Sequence, residues 1–361
     1  MVKKLSPLII GNLKIKLPII QGGMGVKVST AALAGAVAIC GGAGTIASVG
    51  LGYGEDGLAE DYIGNSNKAL QKEIRLARKL TSNAIGVNIM TALSNYGPMV
   101  QTAINEDVDY IVSGAGLPLS LPSYAGSSKV KLIPIVSSVR SADIIFKTWS
   151  RRYNRLPDAV IVEGPMAGGH LGFRAEELRE NTADPLEKIV VEVLAVIDRY
   201  RIKNRPDIPL IAAGGIFDGK DIAKFLKLGA QGVQMGTRFV ATKECPVHDR
   251  FKELYIKAVK EDIIIIKSPV GMPGRVIKTS FVETVRNGRI PFKCDYKCLK
   301  SCDTKNAPYC IAKAMCSALT GDLENGIVFA GENVVRIKEI VSVKKLLMEI
   351  TREAVNALNK V

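Results

Sequence analysis

Histidine is almost missing from this chain: two residues in 361, His170 and His248. A dinucleotide-binding fingerprint is missing as well. After the first apolar run, LPIIQ, stands GGMGVKVST, with glycines at 22, 23 and 25 and a lysine at 27. That is not the GxGxxG turn on which an open, doubly wound sheet holds its pyrophosphate. No internal repeat with a period of about 20–50 residues recurs, and no stretch is of low complexity. There is no dense Arg/Lys run with interleaved aromatics either. The 49 Lys+Arg against 35 Asp+Glu give a net charge of +14, but the basic residues are scattered. They read as a lysine-rich solvated surface, and no nucleic-acid partner is expected.

Two decoys lack what they would need. MVKKLSPLIIGNLKIKLP begins like a secretory leader, yet Gly11, Asn12 and Lys14 break its short apolar stretch. Residues 28–54 carry no charge and are long enough to cross a membrane. They are mostly Ala, Gly and Ser, poor in Leu and Phe, so their transfer energy is weak and they read as packed backbone. The seven cysteines do not suit an extracellular disulfide scaffold, which would be small and loop-rich. Reduced thiols, or thiolates on a metal, fit better, and the expected location is cytoplasmic with no membrane partner.

What the chain does have is a regular succession of short apolar runs with helical segments between them. The runs are LPIIQGG (17–23), AVAICGGAGTIA (36–47), AIGVNIM (84–90), VDYIVSG (108–114), KLIPIVS (131–137), DAVIVEG (158–164), IPLIAAGGI (208–216) and AQGVQMGTRF (230–239). Continuous apolar character, rather than alternation, marks strands buried on both faces. Helical patterns fill residues 67–80, 141–153, 184–200 and 219–229. Asp218 and the Asp184-Pro185 pair stand as N-terminal caps, and Gly229 as a stop. Eight strands alternating with helices over about 240 residues predict an α/β fold of the (β/α)8 TIM-barrel type. The pattern changes near residue 260. Residues 1–260 are expected to form the barrel, and residues 261–361 a partly helical C-terminal subdomain covering its mouth. This extension holds a strand–turn–strand around IIIIKSPVGMPGRVIKT, a Cys-rich stretch and a final amphipathic helix at 341–360.

In such barrels catalytic and cofactor groups come from the C-terminal ends of the strands, and phosphate is held after strands seven and eight. Gly214-Gly215 and Gln234-Met235-Gly236-Thr237 stand at those two ends. Gln21-Gly22-Gly23-Met24, Asn88, Ser137 and Glu163 stand at the ends of strands one, three, five and six. Together they outline a phosphate at strands seven and eight and a flat ring across strands one, three and six. In EGPMAGGHLGF, Gly168 and Gly169 make room beside His170. An imidazole with an ordinary pKa near ~6.5 can take a proton from a carbon acid, so His170 is the candidate base. His248, at a helix start after strand eight, is read as structural.

PIIQGGMG, GVNI, AGGHLG, IAAGGI and GVQMGTRF, in this order, resemble the FMN-dependent nitronate monooxygenase family, formerly called 2-nitropropane dioxygenases. A sister branch, the flavin-dependent enoyl-[acyl carrier protein] reductase II group, shares all five motifs, and GDLENGIVFAGE near the C-terminus is similar to a segment of that branch. The resemblance covers about residues 5–245 and implies one non-covalent FMN. The flavin would contact Gln21 to Met24, Asn88, Gly168-Gly169, Gly214-Gly215 and Gly236-Thr237, with His170 at the place of the family's proposed base. It implies oxidation of nitronates or nitroalkanes by O2 to a carbonyl and nitrite, or in the sister branch NAD(P)H-dependent reduction of an enoyl thioester. Acyl carrier protein would then be a partner, and the chain a homodimer. The GGI to GVQMGT segment is also similar to the phosphate end of inosine monophosphate dehydrogenase, but the loop after strand six lacks that enzyme's catalytic cysteine.

Cys294, Cys298, Cys302 and Cys310 form a C-x3-C-x3-C-x7-C pattern. Four thiolates so close in sequence can wrap an iron–sulfur cluster or a zinc ion. On a helix the first three would instead share one face as small buried side chains. Cys40, Cys245 and Cys316 are read as core thiols.

Overall fold

The computed structural model describes residues 4–54, 56–201 and 207–360. Met1–Lys3, where the leader-like segment starts, lie outside them. Eight parallel strands form the barrel: β1 (Ile19–Gln21), β2 (Gly44–Ala47), β3 (Ile85–Met90), β4 (Tyr110–Gly114), β5 (Lys131–Val136), β6 (Val160–Glu163), β7 (Leu210–Ala213) and β8 (Gly232–Met235). From β2 to β8 each strand pairs with its sequence neighbour, and β8 pairs with β1 in the register Gln234 to Ile20. Between β1 and β2 the ring is closed by one parallel bridge, Ile20 to Ala43.

The strands are apolar on both sides because both sides are covered. Ile20, Tyr110, Val112, Ile133, Ile161 and Ile211 point into the barrel and pack with Leu8, Ile10 and Ile15. Those last three belong to an antiparallel hairpin, Leu8–Ile10 with Leu13–Ile15. The would-be leader therefore supplies a plug for the barrel's interior. Outward-facing neighbours such as Ile19, Ile85, Ile111, Val160 and Val233 join the larger core under the helices.

The helices that follow β1 to β7 are α1 (Ala31–Ile39), α2 (Tyr62–Leu80), α3 (Tyr96–Asn105), α4 (Leu121–Ala125), α5 (Val139–Tyr153), α6 (Leu186–Arg199) and α7 (Gly219–Lys227). The opening of the second predicted run, Ala36–Ile39, is thus helical. Ala-rich residues with no polar face suit a mostly buried helix as well as a strand. Asp218 caps α7 as expected, its side chain accepting from the amides of Lys220 and Asp221. At α6 the capping position is Pro185 itself, with no side-chain cap.

After β8 the chain runs through α8 (Thr237–Val240) and then leaves the barrel for about a hundred residues. The excursion departs and returns at one point, where Thr242 bridges Val341 and the amide of Lys243 donates to the Val341 carbonyl at 2.9 Å. It contains α9 (Asp249–Lys257), β9 (Ile263–Lys267), β10 (Pro273–Ile277), α10 (Ser280–Asn287), α11 (Ile311–Leu319) and β11 (Val328–Phe329). The last helix, α12 (Val343–Asn359), packs against α7 and α1. That is the place of the eighth barrel helix. A boundary at residue 260 consequently does not divide the chain into separate bodies. The helix α12 packs beside α7 and α1, and residues 243–340 lie between β8 and that helix.

Candidate functional site at the barrel mouth

A cavity of about 1820 Å³, counted out to solvent, opens at the C-terminal ends of the strands. Of the residues singled out in the sequence, Gly22, Gly23, Met24, Asn88, Glu163, Gly168, Gly169, His170, Gly214, Gly215, Gln234, Met235, Gly236 and Thr237 line it. Gln21 and Ser137 do not. Gln21 is fully buried and braces the turn from behind: its amide nitrogen donates to Ser29 Oγ at 2.8 Å, and its carbonyl oxygen accepts from the Thr45 amide at 3.1 Å. Ser137 lies against Gly172 on the far side of the strand-six loop.

Glycine is required where strand ends crowd. A Cβ on Gly23 would stand 2.3 Å from the Asn88 Cβ, so only glycine lets the β1 turn lie on β3. Gly214 and Gly215 have φ of +90° and +85°, a backbone that side chains disfavour. The polar end of the cavity differs from the sequence expectation in one respect. The N-terminus of α7 is closed by carboxylates, because Asp218 caps it and Glu353 Oε2 accepts from the Gly219 amide at 3.0 Å. Those amides are already taken, and the polar end falls to the Gly214-Gly215 turn and the Gly236-Thr237 head of α8. Arg238, also in the lining, stacks on Phe217 with its guanidinium 4.4 Å from the ring, and its Nε is buried without a partner. Gln234 Oε1 is likewise buried and unpartnered.

The insertion builds the opposite wall and holds His170. Gly169–His170 forms a short antiparallel pairing with β10, His170 facing Gly274 and Gly169 facing Arg275. The buried guanidinium of Arg275 donates to the carbonyls of Pro165 and Ala167, clamping the same loop. His170 Nε2 lies 2.7 Å from Ser268 Oγ, and its ring packs 5.0 Å from Phe329. Burial in this apolar wall pushes the imidazole down to about 4, so it is neutral at neutral pH. Burial acts oppositely on Glu163, pushing its carboxyl up to about 8. The two groups sit in one cavity, and both are uncharged near pH 7. Ser268, Arg275 and Asn333, whose amide nitrogen donates to the Gly215 carbonyl at 2.5 Å, were not foreseen. They sit more than ninety positions from the loops they hold, and nothing local marks them.

His248 caps α9 through Nδ1, accepting from the Arg250 amide at 3.1 Å, a structural role. The Cys-rich stretch does not form a helix: from Gly288 to Cys310 the chain has no helix or paired strand beyond one isolated bridge. The shared helical face expected for Cys294, Cys298 and Cys302 therefore does not exist. Among the described residues, no three His, Cys, Asp or Glu side chains converge as ligands of a metal, which corrects the expectation of an iron–sulfur cluster or zinc at the four cysteines. No described helix is long and apolar enough to cross a membrane.

Comparison with known proteins identifies the family. The sequence model of the nitronate monooxygenase family matches residues 6–113 and 67–353. A Rhodococcus jostii (3aS,4S,5R,7aS)-5-hydroxy-7a-methyl-1-oxo-octahydro-1H-indene-4-carboxyl-CoA dehydrogenase is 30% identical over 270 residues, which is 75% of this chain but only 65% of that protein. The chain thus spans less than two thirds of that relative's length. A probable nitronate monooxygenase of Staphylococcus aureus is 29% identical, the match covering 77% of this chain and 81% of that protein. Among solved structures, FabK of Thermotoga maritima superimposes with a TM-score of 0.74 at 30% identity, covering 96% of this chain and 95% of that one. The chain belongs to the nitronate monooxygenase family, a family of FMN-dependent oxidoreductases.

Proposed function

We propose that this chain binds FMN at the barrel mouth and uses it to reduce the carbon–carbon double bond of an enoyl thioester with NAD(P)H. The observation that carries the reading is the cavity itself. It joins the glycine-lined strand ends to the wall that the insertion builds, so one space can take a cofactor and a substrate side by side. The wall added by the insertion is apolar, with Val270, Leu299, Ile311, Ile327 and Phe329 in it. A cofactor and a long, carbon-rich substrate suit such a space. Likeness to FabK over nearly the whole of both chains supports the reading, as does the acyl-CoA ester named for the Rhodococcus relative. The net charge of +14 would favour encounter with an acidic acyl carrier protein.

The residues present fit FMN. Two unpartnered buried polar atoms, Gln234 Oε1 and Arg238 Nε, need partners that a polar cofactor supplies. The glycine turns let backbone approach a ligand closely. Gly214-Gly215, Gly236-Thr237 and Arg238 would hold the phosphate; Gly22 to Met24, Asn88 and Gly168-Gly169 would hold the ring. When bound, FMN accepts a hydride equivalent and passes it to a carbon substrate.

The chain's own groups then handle protons and position. Glu163 keeps its proton up to about pH 8 and so acts as a hydrogen-bond donor near neutrality. His170, neutral and fixed by Ser268, can hold a proton beside the substrate's α-carbon or donate to its carbonyl. The apolar wall excludes water. A second reading, oxidation of a nitronate by O2, is favoured by the Staphylococcus relative and by the low pKa of His170. A base that weak does little for a neutral nitroalkane, whereas a nitronate needs no deprotonation. Anaerobic stopped-flow separates the two. Reduction of the flavin by NADH or NADPH followed by reoxidation with crotonyl-CoA is expected. A reduced flavin that no enoyl thioester reoxidises, with turnover of propionate 3-nitronate in air, would replace the first reading by the second.

A further inference from the structure

We propose that Ser268 is a positioning residue that fixes the ring proton of His170 on Nδ1, so that the imidazole presents an N–H donor, and not a bare nitrogen, to the cavity. The inference deepens the reading of His170 given above. Its consequence for turnover rests on the enoyl reduction proposed there.

Ser268 stands in the turn between β9 and β10. Its carbonyl accepts from the Gly271 amide at 3.0 Å, and its amide donates to the Met272 carbonyl at 3.3 Å. The residue is 2% exposed and lies behind His170 and Val270, which line the cavity. A serine hydroxyl has two lone pairs and one proton to place. One lone pair accepts from the Val270 amide at 3.3 Å, which pins the oxygen in the turn. The proton needs an acceptor, and among the described residues His170 Nε2, 2.7 Å away, is the one at hydrogen-bonding geometry. Burial raises the Tyr309 phenol and the Ser268 hydroxyl eases it, yet Tyr309 Oη makes no hydrogen bond. The Ser268 proton is not taken there.

Two arrangements of the His170–Ser268 pair are conceivable, and they differ in cost. With the ring proton on Nε2, histidine donates to serine, and the serine's own proton is left buried and unpaired. With Nε2 bare, serine donates to histidine and every group is satisfied. Leaving a buried donor unpaired is the expensive choice, so Nε2 is the acceptor. Burial keeps the ring neutral at pH 7, and a neutral imidazole carries one proton. That proton is on Nδ1. Nδ1 has no partner among the described residues and is not sealed from solvent, so it opens to the cavity that the ring lines. The pairing with Gly274 and the packing on Phe329 at 5.0 Å hold the ring in this sense.

A general base needs a bare nitrogen facing its substrate. Here the bare nitrogen faces the insertion and the N–H faces the substrate. His170 is therefore a hydrogen-bond donor to the thioester carbonyl, whose oxygen gains negative charge as hydride reaches the double bond. The contact moves no proton.

The test begins without substrate. Isotope-labelled histidine gives signals from only two rings in the whole chain. A proton–nitrogen correlation spectrum through the ring couplings shows which nitrogen of each is protonated, and His248→Gln assigns the pair. His248 is an internal contrast, because its Nδ1 accepts from the Arg250 amide and its proton belongs on Nε2. In the FMN-loaded full chain the two rings should show opposite tautomers. Ser268→Ala should move the His170 proton to Nε2 and leave His248 as it was, while Ser268→Thr, which keeps the hydroxyl, should retain Nδ1–H. With NADH and crotonyl-CoA, Ser268→Ala should lower kcat about tenfold and leave KM within about twofold, because the donor acts on charge that develops after binding. Nε2–H at His170 in the unmodified chain overturns the proposal, whatever the variants do. So does an unchanged His170 spectrum in Ser268→Ala, or an effect of that variant confined to KM. Nδ1–H at His170 with no turnover of crotonyl-CoA would sustain the proton's assignment and remove the enoyl reading instead.

Discussion

Two of the titratable groups facing the cavity, Glu163 and His170, are displaced in opposite directions by the same cause. Removing water disfavours charge, so Glu163 holds its proton to about pH 8 while His170 gives its own up at about 4. The consequence for stability follows from proton counts. Between its ordinary 4.5 and about 8, Glu163 binds more protons folded than unfolded, so the flavin-free chain loses stability as pH rises through that window. His170 binds fewer protons folded than unfolded between about 4 and its ordinary 6.5, so its contribution rises with pH there and is complete above 6.5. Glu163→Gln should flatten the loss between pH 6.5 and 8, where Glu163 alone of the pair changes. Urea midpoints at several pH values measure it, and an unchanged slope would remove Glu163 from the account. If the Glu163 proton serves the reaction, the alkaline fall in kcat/KM near pH 8 should also vanish in this variant. Ser268→Ala deletes the 2.7 Å partner of His170. A loss of about tenfold in kcat/KM, near 1.4 kcal/mol, is expected with FMN content unchanged.

At the scale of elements, the strand ends were readable because a barrel fixes where function sits. Once eight runs ending in Gly, Ser or Asn were in hand, the loops after strands one, three, six, seven and eight followed, and most of their residues do line the cavity. Gln21 was misplaced because alternation along a strand decides whether its last side chain faces the cavity or the core behind it, and a three-residue strand gives that pattern no length. The α7 head looked like an anion site because a helix starts just after the Gly214-Gly215 turn, and one of the two carboxylates that satisfy its amides is invisible locally. Glu353 comes from the other end of the chain. The contact between α7 and α12 is also where packing is tightest. A Cβ on Gly219 would lie 2.2 Å from the Ala354 amide nitrogen and 2.4 Å from the Ile350 carbonyl oxygen. Backbone atoms cannot step aside as a side chain does, so Gly219→Ala must push α12 outward. A cost of about 1–3 kcal/mol is expected, read from chemical denaturation. Gly54→Ala is the control. Its φ is +82° with nothing within 4 Å, so it bears only backbone strain of about 1 kcal/mol.

For the whole molecule, the sequence places its change of texture near residue 260, but a change of texture is not a domain boundary. Composition shifts where regular βα alternation stops, whereas a fold divides where few contacts cross. Here they cross throughout. The main core runs unbroken from Ile19 to Ala354 and includes Val276, Tyr309 and Val334 of the insertion. The insertion's pairing with His170 and the Arg275 clamp tie it to the barrel mouth, while α12 seals the flank between α7 and α1. A chain stopped at residue 260 would keep all eight strands and yet expose the apolar faces that Leu346, Leu347 and Ile350 cover, each at most 2% exposed. Burying such a side chain is worth about 1.5–3 kcal/mol, and three of them amount to much of the ~5–15 kcal/mol that holds a domain folded. The 1–260 fragment should therefore be insoluble or unfold without cooperativity. The full chain should melt in one transition that FMN shifts upward by mass action. Circular dichroism melts of both, with and without added FMN, decide the matter. A fragment that melts cooperatively and binds FMN would mean that the barrel stands alone and the insertion with α12 is a true second domain.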